Sequence, residues 1–322
     1  MLKISILAFD NCQLTGLAGF LDLFTLANWE WRRLHPGKKE LFCRCEVVTQ
    51  TGKPVTSFSR LPIEAKRSLD DCQDADLIIL PGIMGRLEPL LENKPLCQWL
   101  QQQHQRGAKI ASACSGAFIL AETGLLKGRK ATTHWQLADR FRQRYPKVKL
   151  EIDRLLIDGR DYFCAGGTSA HFDLALYLLE KFGSPALAAA CAKMMLLERR
   201  PDQGPYLQFR GDKKHSDQPI LKVQRWLDSN YRGKVVVKEL AAMSGLNERT
   251  FLRRFRKRTG EAPLEYVQRM RIEKAKQLLS AGTEPLEAIT KAVGYADVSS
   301  FRRLFKQIVG MSPTVYRQRF RR

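Results

Sequence analysis

Apolar residues run along this 322-residue chain in two rhythms. As far as about position 195, short β-rich runs alternate with longer stretches of helical spacing. The runs are Ile4–Phe9, Cys43–Thr49, Leu77–Pro81 and Lys109–Ala113, and the helical stretches include Phe20–Leu34 and Leu96–Gln105. Such alternation predicts an α/β domain with a mostly parallel sheet covered on both faces. In such sheets functional groups gather at the carboxyl ends of strands. Two ends stand out: Leu80-Pro81-Gly82, and Ser112-Ala113-Cys114-Ser115-Gly116. From Arg199 to Pro219 the pattern gives way to polar turn formers, which read as an interdomain linker. The chain is then helical to its end. The expected division is 1–198, a linker over 199–219, and an all-α domain over 220–322.

The helical domain repeats itself. Phe251, Phe255, Gly260, Pro263 and Tyr266 recur fifty residues later as Phe301, Phe305, Gly310, Pro313 and Tyr316. Each copy follows a short helix and a glycine turn, Val237–Ser244 with Gly245-Leu246 and Leu286–Val293 with Gly294-Tyr295. Two helix-turn-helix units fit this layout. The turn glycines supply positive φ, and Asn247 and Asp297 can cap the next helix. The i, i+4 Phe pairs mark buried faces. That leaves Arg249, Leu252, Arg253 and Arg256 as one exposed stripe, and Ser299, Ser300, Arg303 and Lys306 as the other. Arginine can read guanine edges bidentately, and serine can bond to base or phosphate. The competing reading is a pair of solvated helix faces.

Charge sharpens that choice. The chain carries a formal net charge of +21, and 220–322 holds 23 Lys+Arg against 9 Asp+Glu. Two thirds of the excess sits in one third of the chain, which suits a polyanionic partner. No apolar run approaches the roughly 18 residues of a membrane helix, and the first residues lack the layout of a signal peptide. A cytoplasmic protein without membrane association is expected. All eight cysteines fall in the first 191 residues with no Cys-x-x-Cys, so free thiols are expected. Cys43 and Cys45 could face a metal, but no second ligand pair is nearby, and buried packing is the competing reading. No metal or cofactor is expected.

The last hundred residues resemble the DNA-binding domain of the AraC/XylS family. The likeness rests on Arg271-x-x-x-Ala275-x-x-Leu278-Leu279 and on Ile289-x-x-x-Val293-Gly294-Tyr295-x-x-x-x-Ser300-Phe301-x-x-x-Phe305-Lys306. It continues through Gly310-x-Ser312-Pro313-x-x-Tyr316-Arg317. It implies a long central helix holding two recognition helices in successive major grooves of double-stranded DNA. It places base-facing positions at Arg249, Leu252 and Arg253, and at Val298, Ser299, Ser300 and Arg303, with RNA polymerase as a further partner of what is mostly an activator family.

Cys114 follows an apolar strand and opens a helix, where backbone N–H groups can lower a thiol pKa. This resembles the nucleophile elbow of the PfpI/class I glutamine amidotransferase-like superfamily, which implies a flavodoxin-like sheet. The likeness continues through Ala131-Thr132-Thr133-His134-Trp135, Leu156-Ile157-Asp158-Gly159-Arg160, Gly166-Gly167-Thr168-Ser169 and Asp173-Leu174-Ala175-Leu176. Together the two domains look like the GlxA-type branch of AraC regulators. The pattern departs at the acid near the first strand, where Gly16 stands, with Asp22 further along. Ser115 replaces the histidine of the protease-like members. His134 is left as the candidate partner of Cys114, against a reading as a structural residue before a core Trp135.

Two functions compete for this domain. In one, Gly82, Cys114, Ser115, Gly116 and His134 line the site of a small effector, which the resemblance suggests is nitrogenous, in a homodimeric regulator. In the other, Cys114 and His134 perform amidase or hydrolase chemistry. Redox sensing at Cys114 is a third reading, and no resolving cysteine stands in view.

Overall fold

The computed structural model describes residues 1–209, 211, 213 and 215–321. Arg210, Asp212 and Lys214 of the expected linker, and Arg322, lie outside the described residues. The chain divides into two compact units, Met1–Gln203 and Gly204–Arg322.

The first unit is built on a six-stranded sheet. Its strands are β1 (Leu2–Leu7), β2 (Cys43–Val48), β3 (Leu77–Leu80), β4 (Lys109–Ala113), β5 (Leu156–Asp158) and β6 (Tyr162–Ala165). They lie in the order β2-β1-β3-β4-β6-β5, all parallel except β5, which pairs antiparallel with β6. Parallel strands covered on both faces read as continuous apolar runs, and Leu77-Ile78-Ile79-Leu80 shows why. Leu77 and Ile79 join Ile4, Ile6, Phe20 and Phe24 in the core on one face. Ile78 and Leu80 join Leu7, Trp99, Ile110 and Phe118 on the other. Helix α1 spans Leu14–Leu34, starting six residues before the expected Phe20. A methyl group at Gly19 would lie 2.6 Å from His171 Nε2, so this early turn needs glycine to seat against the Ala170–Phe182 helix. Helix α2 (Gly116–Glu122) follows β4, and α3 (Ala170–Phe182) follows β6.

The second unit is helical. It contains α4 (Gln218–Asn230), α5 (Val237–Ser244), α6 (Glu248–Thr259), α7 (Pro263–Ala281), α8 (Leu286–Ala292), α9 (Val298–Val309) and α10 (Pro313–Phe320). The two sequence repeats give two separate cores. Phe251 and Phe255 pack with Ile220, Leu227 and Leu240; Phe301 and Phe305 pack with Ile289, Val293 and Val309. Helix α7 serves both, giving Tyr266, Val267 and Met270 to the first and Ile272, Ala275 and Leu279 to the second. At 19 residues it is about 28 Å long.

The expected linker is anchored at both ends. Arg200 N–H and Nε donate to Asp173 at 3.0 and 3.1 Å, and Gln203 is buried in the first unit. In the second unit the Tyr206 ring meets that of Phe320, and Phe209 stacks edge-on to Tyr266 at 4.9 Å. Turn-forming composition reports backbone preference and says nothing of such single anchors.

Candidate functional site

The elbow is built from the strand β4, a strained residue and a tight helix start. Cys114 has φ +55°, a conformation that costs a non-glycine residue on the order of 1–3 kcal/mol. Neighbours hold it there. Its N–H donates to Ala165 O at 2.8 Å, and Thr133 Oγ1 donates to its carbonyl at 2.8 Å. Ser115 Oγ accepts from Ile83 N–H at 2.7 Å and donates to Ile83 O at 2.8 Å, tying the elbow to the loop after β3. A methyl group at Gly116 would stand 2.5 Å from Leu80 O, and one at Gly82 would meet Cys114 Cβ at 3.2 Å and Gln13 Oε1 at 3.3 Å. Gly82, Cys114, Ser115 and Gly116 therefore do come together, as the two strand ends required.

Electrostatics at the thiol run against activation. Burial pushes the Cys114 pKa up, and hydrogen bonding from Ser115 and Thr168 offsets this only in part. The expected lowering by helix N–H groups does not prevail, because the side chain is 5% exposed and a thiolate there is poorly solvated. Among the described residues no hydrogen bond or ion pair joins His134 to Cys114. His134 Nδ1 accepts from Gln136 N–H at 3.1 Å, its ring stacks on Trp135, and burial holds its pKa down. Trp135 is half-buried on a one-turn helix, Trp135–Leu137, rather than a core residue. Among the described residues no acid stands against Gly16, and Asp22 is exposed on α1. Beside Gly16 stand Gln13 and a histidine the sequence did not suggest, His171. Its Nδ1 lies 3.0 Å from Thr168 O, its Nε2 is buried with no hydrogen-bond partner among the described residues, and burial holds its pKa down.

Further hydrogen bonds, also unread in the sequence, run behind the elbow. Gln203 Nε2 donates to Thr132 Oγ1 at 3.1 Å and to Thr133 O at 3.2 Å. Gln203 also packs so closely on Gly166 that no side chain fits there. Thr133, Thr168 and His171 fall in or beside the quoted motifs; Gln13 and Gln203 left no pattern at all. Among the described residues no three His, Cys, Asp or Glu side chains are grouped to hold a metal ion, and no helix is long and apolar enough to cross a membrane.

The helical unit presents the opposite picture. Asn247 and Asp297 cap α6 and α9, accepting from Thr250 N–H at 2.9 Å and Ser300 N–H at 2.6 Å. Gly245 and Gly294 have φ +71° and +89° at the two turns. Gly245 has open space around it, whereas a methyl at Gly294 would strike the Arg232 backbone. With Phe251, Phe255, Phe301 and Phe305 buried, Arg249, Leu252, Arg253 and Arg256 are exposed on α6, and Ser299, Ser300, Arg303 and Lys306 on α9. Val298 is half-buried at the start of α9. Arg249, Arg253, Arg256 and Lys306 enter no ion pair among the described residues; Arg303 donates to Ser300 Oγ at 3.4 Å. Signature residue Arg271 is structural: it donates to Tyr231 O and Gly233 O at 2.7 Å and covers the Tyr295 ring.

Comparison with known proteins agrees with both halves. Residues 20–181 match the DJ-1/PfpI family, and residues 240–319 match a helix-turn-helix domain. The HTH-type transcriptional regulator CdhR of Pseudomonas aeruginosa is 29% identical over 274 residues, which cover 84% of this chain and 80% of that one. Isonitrile hydratase of Pseudomonas putida is 31% identical over 180 residues, covering 56% of this chain and 72% of the enzyme. The DJ-1beta structure of Drosophila melanogaster aligns with 61% of this chain and 98% of its own, at a TM-score of 0.52 and 16% identity, and so shares the fold. The chain belongs to the DJ-1/PfpI family and joins that domain to an AraC-type helix-turn-helix domain, the composition of a DNA-binding transcriptional regulator.

Proposed function

We propose that this regulator binds duplex DNA through α6 and α9, and that a small effector held at the Cys114 elbow controls that binding. The observation that carries the DNA reading is the pair of exposed, cation-bearing faces on two identically capped helices. Arg249, Leu252, Arg253 and Arg256 read one major groove. Val298, Ser299, Ser300, Arg303 and Lys306 read the next on the same side of the duplex. The protein works as a cytoplasmic homodimer and activates transcription in contact with RNA polymerase.

The elbow supports sensing better than turnover. A thiol raised by burial, without a hydrogen-bonded base and with glycine in place of the acid, is a weak nucleophile. The likeness to isonitrile hydratase favours a second reading, in which the domain keeps a Cys114-dependent hydrolytic or hydration activity. A thermal-shift screen of the full chain against small nitrogenous metabolites separates the two. A compound that raises the melting temperature and is recovered unchanged fits a sensor. A compound that is consumed, with consumption lost in Cys114→Ser, fits an enzyme.

A further inference from the structure

Asp217 lies in the second unit, at the N-cap of α4, and its side chain is 4% exposed. It accepts from Ile220 N–H at 3.4 Å as the cap. It also reaches a helix 37 residues away. Arg254 donates to it through Nε at 3.1 Å and Nη2 at 2.7 Å, and Arg258 Nε lies at 3.5 Å. The Arg254 guanidinium in turn holds the Asp217 carboxyl below the usual carboxylate range.

Successive helix residues are 100° apart, which divides α6 into three faces. Phe251 and Phe255 face the core. Arg249, Arg253 and Arg256 point away from it. Arg254 and Arg258 share one flank between them. A grip on that flank adds a second constraint on the roll of the helix, beside the one set by the core pair. A roll of about 20° moves a side-chain tip by about 2 Å at a helix radius of about 5–6 Å. Bidentate hydrogen bonds to a base do not survive such a shift.

Asp217 is itself held in place. Its N–H donates to His215 Nδ1 at 3.2 Å, so His215 Nε2 carries the proton toward Gln224 Oε1 at 2.9 Å, and Gln224 Nε2 donates to the Tyr266 hydroxyl at 3.1 Å. The network ties the residues that precede α4 to α4 itself, to α7 and to α6.

We infer that Asp217 is a positioning residue for sequence readout: it orients α6 through Arg254 and Arg258, so that Arg249 and Arg253 meet base edges in register. The inference rests on the reading of α6 as a recognition helix.

The test uses Asp217→Asn in the full chain. Asparagine keeps the helix cap but removes the charge that binds both arginines. Kd is measured at fixed salt on a duplex selected from a random pool by the wild-type protein, and on a scrambled duplex of the same composition. At least a tenfold fall in the ratio of the two affinities is expected. The scrambled duplex should be bound no more weakly than by wild type, because removing a negative charge cannot weaken attraction to phosphates. Arg254→Gln should lower the ratio comparably, and the double variant should be no worse than the more affected single variant, since both break one interaction. An unchanged ratio, equal losses on both duplexes, or additive effects would overturn the inference. Arg253→Ala serves as the control for the underlying reading. If it too leaves the ratio unchanged, α6 is not a reading helix and the inference falls with it. If it lowers the ratio while Asp217→Asn does not, only the positioning role fails.

Discussion

Cys114 and Arg253 are each the residue that chemistry would single out in their own unit, and the fold treats them in opposite ways. Cys114 is 5% exposed, held at positive φ, and enclosed by Gly82, Gly116 and a ring of satisfied hydrogen bonds. Arg253 is exposed on α6 and enters no ion pair among the described residues. Around the elbow, packing and function compete for the same atoms, so a change there is paid in stability. On α6 the two are separated: Phe251 and Phe255 are buried and carry the fold, and the residues of the opposite face are exposed. The difference is testable as a split between melting temperature and affinity.

The largest effect should come from the framework of the helical unit. Phe255→Ala removes a fully buried ring and should cost about 3–5 kcal/mol of stability. DNA binding should disappear with it, as thermal unfolding and fluorescence anisotropy would show. Retained binding by a destabilised protein would contradict the dependence of the reading face on that core. Next comes Gly116→Ala, which forces a methyl against Leu80 O. Overpacking of this kind costs about 1–3 kcal/mol, read as a lower melting temperature of the first unit. Arg253→Ala and Arg303→Ala should each cost about 1–3 kcal/mol of specific DNA affinity while stability moves by less than about 0.5 kcal/mol. A matching loss of stability would show that those arginines support the fold after all.

The smallest effect concerns His171, whose folded pKa is depressed by burial. The unfolded chain takes up a proton at about pH 6.5 while the folded chain resists, so stability is lost as pH falls from there toward the folded value. Arg200 adds to this depression, and Asp173 and the Thr168 carbonyl oppose it. Wild-type melting temperature should therefore drop more steeply below that pH than His171→Gln. Parallel profiles would mean that His171 is protonated in the folded state.

The helical unit was legible because its packing is periodic. Phe pairs, cap residues and turn glycines recur at a fixed interval, and each has a local physical cause that one sequence displays. The first four sheet strands were legible as apolar runs, and the family resemblance marked the elbow. The early start of α1 was hidden by Thr15, Gly16 and Gly19, weak helix formers, of which Gly19 is required by the close approach of His171. His134 drew attention by lying in a motif, yet His171, on α3, is the histidine beside Gly16. Nearness between two packed helices far apart in the chain has no signature in linear spacing. Gln203 and Asp217 were hidden for a related reason: each is a single polar residue in a turn-rich segment, and their long-range side-chain bonds reach 37 to 71 positions along the chain.

The most direct test of the account is enrichment of full-chain protein on a random duplex pool, repeated with Arg253→Ala and Arg303→Ala. The account predicts two sequence blocks about one helical turn, roughly 10 base pairs, apart. Arg253→Ala should relax one block and Arg303→Ala the other. A pool that enriches no sequence, or enrichment that neither substitution changes, would contradict the claim that α6 and α9 read DNA.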